Sequence, residues 1–104
     1  MIEFDGDDTG YLAWLNGSPQ GYVVNVRRQH TIAYMVLHRS TCFHIAASAH
    51  PTGAFTARGY RKVCLTTADQ LTGAAKALGR EDGSYSKCCQ HCAPALSREG
   101  RRLE

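Results

Sequence analysis

Apolar and polar positions follow a strand-like pattern in three segments of the chain, at residues 21–28, 31–38 and 60–66. Each segment is rich in β-forming residues and is bounded by turn-forming ones. Alternation along the first segment predicts two distinct faces, one with Tyr22, Val24 and Val26 and the other with Val23, Asn25 and Arg27. The pattern therefore predicts a small three-stranded, largely antiparallel sheet, with a hairpin between its first two strands.

Two further segments carry the spacing of an amphipathic helix. The first covers residues 8–16, and Asp8 is placed to cap it. The second begins at a capping box formed by Thr67 and Gln70. A short helix or turn is also expected over residues 40–46. Together with the sheet, these segments indicate an α+β fold with two to three short helices.

A length of 104 residues fits one compact domain. No apolar run approaches the roughly 20 residues that a membrane helix needs, and no signal-peptide pattern is present. Leu103 and Glu104 are typical of an expression tag, so we expect one domain over residues 1–102, with further domains of the same polypeptide possible beyond it. These features favour a cytoplasmic protein without a membrane partner.

Charge is unevenly distributed along the chain, whose net charge is +3. The first twenty residues carry four acidic side chains and no Lys or Arg. All twelve basic residues follow, against five acidic ones. A basic remainder of this kind permits a polyanionic partner, and DNA is the partner we expect.

Cysteine content is the strongest anomaly, with five Cys and no secretory signal. An odd number does not suit a disulfide framework, which makes metal binding the better account. Zinc prefers four tetrahedral thiolate or imidazole ligands, usually supplied as two close pairs. The chain offers two such pairs, His38 with Cys42 and the C-terminal zinc knuckle Cys89-x-x-Cys92. We predict that these four residues bind one structural Zn²⁺ ion.

Two other cysteines are alternative ligands. Cys64 can replace His38 to give a four-cysteine site, and Cys88 can replace Cys89 in the knuckle. Free cysteines are also often buried as small apolar residues. A site with only three protein ligands would leave a position open for water and would favour a catalytic metal.

Basic residues in or beside the predicted strands are the candidate nucleic-acid contacts, namely Arg27, Arg28, Arg39, Arg61 and Lys62. Such side chains neutralise phosphates, and Tyr34 or Tyr60 can stack on an exposed base. The sequence contains no H-x-E, HNH or G-x-S-x-G motif. We therefore predict that this domain is not itself an enzyme.

The metal pairs and the elements between them resemble the zinc-binding domain of Ada-type DNA-repair proteins. The likeness covers residues 38–92, with a strand ending at the first pair, a further strand and helix, and a terminal C-x-x-C. It departs at the first ligand, where that family has a methyl-accepting cysteine and this chain has His38. The resemblance implies a four-ligand zinc beside DNA, without methyl transfer.

A second likeness covers the whole chain. The segments Asp7-Asp8…Tyr11-Leu12-Ala13-Trp14-Leu15, Gly21-Tyr22-Val23-Val24-Asn25, Leu37-His38-Arg39 and Tyr60-Arg61-Lys62-Val63-Cys64 resemble the N-terminal domain of McrA-like HNH restriction endonucleases. That resemblance implies a bacterial DNA-binding accessory domain of a restriction–modification or repair protein, with the sensing of modified DNA as a candidate role.

Two other classes of function stay open. One is a protein-interaction or scaffold domain that binds a partner through Trp14 and neighbouring aromatic residues. The other is a thiol enzyme or redox sensor that uses Cys64 or Cys88.

Overall fold

The computed structural model describes residues 1–42, 45, 55–56 and 59–90. Within these residues the chain forms five strands, two α-helices and one 3-10 helix. In chain order they are β1 (Ile2–Phe4), α1 (Asp8–Gly17), β2 (Tyr22–Arg27), β3 (Met35–Arg39), β4 (Tyr60–Leu65), the 3-10 helix (Ala68–Gln70), α2 (Leu71–Ala77) and β5 (Lys87–Cys88).

The strands form one mixed sheet in the order β1-β4-β2-β3-β5. Its first three pairings are antiparallel, and β3 pairs with β5 in parallel. The prediction of an α+β fold is confirmed, and the three predicted strands are its central three. The prediction of a three-stranded sheet was wrong, because a short strand is added at each edge.

The first added strand, β1, lies in the acidic start of the chain. It pairs with β4 in the register Ile2↔Cys64, Glu3↔Val63 and Phe4↔Lys62. Three residues give too short an alternation to stand out from the surrounding acidic positions, so no strand was predicted there. The acidic segment is thereby fixed against the basic edge of β4.

The connection between β2 and β3 is longer than the predicted hairpin. Tyr34 N donates to Thr31 O at 3.1 Å, and Ala33 N donates to Thr31 Oγ1 at 3.1 Å. These bonds form a turn over residues that the composition favoured as strand, so β3 begins at Met35. Tyr34 is left directly before the strand, at the end of the sheet where β2 finishes.

Each face of the sheet carries one apolar core and one α-helix. We call the first the α2-side core, formed by Tyr22, Val24, Val26, Met35, Leu37, Val63, Leu65, Leu71, Ala74, Ala75 and Tyr85. We call the second the α1-side core, formed by Tyr11, Leu15, Val23, Cys42, Ile45, Phe55, Cys64 and Cys89. The alternation predicted for β2 therefore sorts its residues correctly between the two faces.

The helix ends differ in detail from the sequence expectations. Asp7 caps α1, since its Oδ1 accepts from Gly10 N at 2.9 Å, which leaves Asp8 inside the first turn. Gln70 Oε1 accepts from Thr66 N at 2.9 Å, one residue before the expected capping box. Among the described residues, no helix is long and apolar enough to cross a membrane.

Gly21 is a position where the fold leaves no room for a side chain. A Cβ there would lie 2.7 Å from Leu65 O and 2.9 Å from the Trp14 ring. We expect Gly21→Ala to lower the free energy of unfolding by about 1–3 kcal/mol, the usual cost of overpacking. Urea unfolding measures this change. Gly73→Ala in α2 is the control, because its Cβ meets nothing within 4 Å and should stabilise the helix. Equal effects at both positions would contradict the prediction.

Candidate metal centre

Three of the four predicted ligands lie together on the α1 face of the sheet. The ligand atoms of His38, Cys42 and Cys89 all lie within 4.8 Å of one another. The two sulfur atoms, Cys42 Sγ and Cys89 Sγ, are 4.0 Å apart. All three side chains are buried, with exposed fractions of 8%, 4% and 6%. The fourth predicted ligand, Cys92, lies outside the described residues.

The register of the parallel pair β3–β5 explains why Cys89 joins His38. Leu37 is the partner of Cys88, and Cys89 N donates to Leu37 O at 2.9 Å. The residues that follow them, His38 and Cys89, are therefore also neighbours, and both side chains point to the face opposite Leu37. Their backbones lie side by side, about 4.8 Å apart by strand spacing.

A tight turn after β3 brings Cys42 back over the same face. Cys42 N donates to Arg39 O at 3.0 Å, and Ile45 N donates to Cys42 O at 3.2 Å. Tyr11 of α1 holds this turn from above, because its hydroxyl donates to Ile45 O at 2.9 Å. The spacing of His38 and Cys42 thus works as predicted, with one ligand from a strand end and the other from the turn that follows.

This group fits a small tetrahedral metal ion. With zinc–sulfur and zinc–nitrogen distances of about 2.3 and 2.0 Å, tetrahedral ligand atoms lie roughly 3.5–3.8 Å apart. The 4.0 Å between the two sulfur atoms needs only a small contraction. Buried thiolates are costly unless a cation compensates their charge, and a divalent metal would do so here. These three residues can therefore hold a metal ion.

The geometry separates the two alternative cysteines from this group. Cys64 and His38 are both register partners of Val23, on opposite sides of β2. Their backbones are therefore two strand spacings apart, about 9.6 Å in total. Cys88 packs against the α2-side core, on the other face of the sheet. Burial raises the pKa of the Cys64 thiol to about 12, with Lys62 opposing the shift, and burial also raises the pKa of Cys88. Both are therefore held as neutral thiols, unlike the reactive thiolate of a redox enzyme.

Two of the predicted phosphate contacts are paired with acidic side chains. Arg28 forms an ion pair with Asp5 at 2.9 Å, and both side chains are nearly half exposed. Arg61 forms an ion pair with Glu3, and its own side chain is only 19% exposed. Neither ion pair could be predicted from the sequence, because the partners are more than twenty residues apart along the chain. Only the pairing of β1 with β4 brings the opposite charges together.

Arg27, in β2, and Arg39, in β3, lie at opposite ends of the β2–β3 pair and on opposite faces of the sheet. Arg39 is the register partner of Tyr22 and lies 5.9 Å from the centre of its ring. Arg27 is five residues further along β2, roughly 17 Å away, and is exposed. The predicted contacts Arg27 and Arg39 therefore do not lie on one continuous surface of the sheet.

Lys62 was expected to contact phosphate, but the structure buries it. Its exposed fraction is 4%, and its Nζ donates to Asn25 Oδ1 at 2.7 Å and to Phe55 O at 2.8 Å. Burial lowers the pKa of Lys62 to about 8, although the nearby Asp8 carboxylate favours the charged form. An ammonium held in this way is not available to a phosphate at the surface, so Lys62 has a structural role.

Asp8 provides the matching negative charge. Its Oδ1 accepts from Thr56 N at 2.8 Å and from Thr56 Oγ1 at 2.5 Å. Asp7 N and Gly6 N also donate to Thr56, the first to its hydroxyl and the second to its carbonyl. Together with Lys62, these groups fix residues 55–56 against the start of α1. We call these contacts of Asp8 and Lys62 with residues 55–56 the clamp. The sequence indicated it only through the closeness of Asp5, Asp7 and Asp8.

We call His38, Cys42 and Cys89 the metal group, and the removal of single ligands tests whether it binds a metal ion. We expect protein purified without chelator to carry a metal ion, and His38→Ala, Cys42→Ala and Cys89→Ala to reduce the metal content per chain. Elemental analysis of the purified proteins measures this content. Cys64→Ala and Cys88→Ala are matched controls that should keep it, since neither side chain reaches the group. Equal metal content in Cys89→Ala and wild type would contradict the assignment.

The buried ammonium of Lys62 predicts a pH dependence of stability. Its pKa of about 8 lies below the ordinary value of 10.5. Between these values the unfolded chain binds more protons, so the stability that this group contributes rises with pH. We expect the free energy of unfolding of wild type to increase relative to Lys62→Met between pH 8 and 10. Urea titrations at several pH values measure the difference. Exposed Lys76→Met is the control, and a Lys62→Met difference that stays constant with pH would refute the prediction.

Comparison of the chain with protein-family models, with curated proteins and with solved structures finds no match. The likeness to Ada-type and McrA-like domains therefore rests on the quoted motifs. What the protein does has to be inferred from the contacts of its own residues.

Proposed function

We propose that this chain is a zinc-stabilised DNA-binding module. The observation that carries the proposal is the group of His38, Cys42 and Cys89 around one buried point. Two thiolates and an imidazole are a donor set that suits zinc among the common metal ions. Cys92, two residues beyond Gln90, is the proposed fourth ligand, which would close the coordination sphere.

A structural role for the metal follows from where its ligands lie. β5 is held to β3 by only two register pairs, which is little pairing for an edge strand. A metal bound by Cys89 and His38 would join these strands by side chains as well as by backbone. It would also fix the turn at Cys42, and so secure the start of the long connection to β4. Metal binding of this kind contributes directly to folding free energy.

DNA is the partner that the charge of the chain favours. The net charge is +3, and Arg27 and Arg28 are exposed at one end of the sheet. The ion pair of Arg28 with Asp5 is largely exposed, and such pairs stabilise a fold by about 0–1 kcal/mol. A phosphate can therefore replace Asp5 as the partner of Arg28 at little cost. The proposal assigns no catalytic step to this domain.

A protein-binding module is the second candidate. Leu12 is 36% exposed and lines a cleft of about 360 Å³ together with Leu15, Asn16, Pro19, Ser40 and Thr41. Trp14, which the sequence marked as a possible contact, is half-buried and packs against the α1-side core. Binding through this cleft would be independent of salt, whereas DNA binding weakens steeply as salt rises.

Removing the competing carboxylates tests the DNA proposal. We expect wild type to bind a labelled DNA oligonucleotide in a salt-dependent way, and Glu3→Gln/Asp5→Asn to bind more tightly. The slope of log K against log salt should steepen by up to about 1.8, because two further phosphates can be neutralised. Fluorescence anisotropy between 50 and 200 mM salt measures both effects.

The double variant Asp69→Asn/Glu81→Gln is the matched control. It makes the same change in net charge at two exposed acidic residues that do not form the ion pairs of Arg28 and Arg61. We expect only a small gain in affinity from it. Equal gains from both double variants would show that net charge alone acts, and absence of any binding would refute the proposed function.

A further inference from the structure

Three side chains form a row across one end of the sheet, on the same face as the metal group. Arg27 is the register partner of Tyr60, and Tyr34 precedes Met35, the partner of Val26. The row thus runs from β4 across β2 to the start of β3. We call these three residues, Tyr34, Arg27 and Tyr60, the stacking row.

The side chains of the stacking row converge on one another. The Arg27 guanidinium carbon lies 4.5 Å from the centre of the Tyr34 ring and 5.9 Å from that of Tyr60. The two ring centres are 5.8 Å apart. Their backbones lie on either side of β2, about 9.6 Å apart by strand spacing, so the rings lean toward each other. The result is a compact cluster with one positive charge, in which the planes of the two rings are inclined by 46°.

Hydrogen bonds from below hold the row in place. Asn25 Nδ2 donates to the Tyr34 hydroxyl at 3.2 Å, and Asn25 Oδ1 accepts from Lys62 Nζ at 2.7 Å. The Lys62 ammonium also lies 5.9 Å from the centre of the Tyr60 ring. The buried Lys62 therefore contacts the Tyr60 ring directly and is linked to Tyr34 through Asn25. A cluster that is ordered before binding loses little conformational entropy when a ligand arrives.

The stacking row is open to solvent and carries uncompensated charge. Arg27 is exposed, and both rings are half-buried. In the part of the chain that the structure describes, Arg28 and Arg61 have acidic partners, whereas Arg27 forms no ion pair. Its contacts there are with the two rings, which leave its charge available to an anion.

We propose that the stacking row binds an unpaired base of single-stranded DNA, with Arg27 on the adjacent phosphate. This inference rests on the proposed DNA-binding function and names the form of DNA. Aromatic rings bind any base through its flat face, and a guanidinium adds a cation–π contact and a phosphate contact. Bases inside a duplex are already stacked on their neighbours and cannot offer that face.

The charge distribution supports the same choice of ligand. A duplex is held mainly by many phosphate contacts, each of which needs a free cation. Here Asp5 pairs with Arg28 and Glu3 pairs with Arg61, the arginines that adjoin Arg27 and Tyr60 in the sequence, which weakens a duplex contact. A single strand depends less on phosphate contacts, because stacking supplies part of its affinity.

A comparison of single-stranded and duplex DNA tests the inference. The full-length, zinc-loaded chain is titrated by fluorescence anisotropy against one labelled 12-nucleotide mixed sequence, alone or annealed to its complement, at 150 mM salt. We expect the single strand to bind at least about tenfold more tightly, a factor typical of the loss of one stacked base. Tyr34→Leu and Tyr60→Leu should each reduce single-strand affinity several-fold and leave duplex affinity nearly unchanged.

Three further variants separate stacking from other causes. Tyr34→Phe keeps the ring but loses the hydrogen bond from Asn25, so its single-strand affinity should lie between those of wild type and Tyr34→Leu. Arg27→Gln should weaken it, whereas Lys76→Gln, which removes an exposed charge from α2, should not. Thermal melting confirms that each variant is folded, and a variant that does not fold is replaced by Tyr34→Met or Tyr60→Met.

The outcomes distinguish this inference from the proposed function. Equal affinity for both forms of DNA, or full single-strand binding by the leucine variants, would overturn the stacking row while DNA binding stands. Absence of binding to either form would overturn the proposed function, and the inference with it.

Discussion

The short parallel pairing of β5 with β3 is the constraint on which the candidate metal centre depends. Only Val36↔Lys87 and Leu37↔Cys88 define its register. A shift by one residue would exchange the faces, and would place Cys88 beside His38 with Cys89 in the opposite core. The pairing is reinforced by Ser86, whose N donates to Met35 O at 3.1 Å and whose Oγ accepts from Met35 N at 2.7 Å. The sheet edge and the proposed metal therefore support each other.

A second attachment fixes the other side of the same core. Tyr11 holds the turn at Ile45, and Asp8 holds residues 55–56, so α1 contacts the long connection between β3 and β4 at two separated places. Lys62 contributes a third contact through Phe55 O. The buried lysine, which costs desolvation, is compensated by these carbonyl and amide oxygens and by the nearby Asp8 carboxylate. The connection between β3 and β4 is thus held at two places, at its start by the metal group and at residues 55–56 by the clamp.

The distribution of charge links the fold to the proposed interface. The acidic start of the chain forms an edge strand, and its carboxylates neutralise Arg28 and Arg61. Among the described residues at that end of the sheet, Arg27 stays exposed and lies against two tyrosine rings. An arginine held against aromatic rings favours flat, anionic ligands over a uniformly charged surface. The fold therefore divides the basic residues expected from composition and leaves Arg27 as a smaller candidate contact.

The sequence by itself determined the local features of this protein. The central three strands, the two faces of β2, the α+β class and the pairing of His38 with Cys42 follow from alternation and short spacing, which depend on neighbouring residues only. Tertiary structure alone decided the rest. β1 and β5 are too short to leave a periodic signal, yet pairing with β4 and β3 makes them strands. The choice of Cys89 over Cys88, the distance of Cys64 and the burial of Lys62 depend on register and on strand order. These are long-range properties, because they are set by which strands lie side by side and by what covers each face of the sheet.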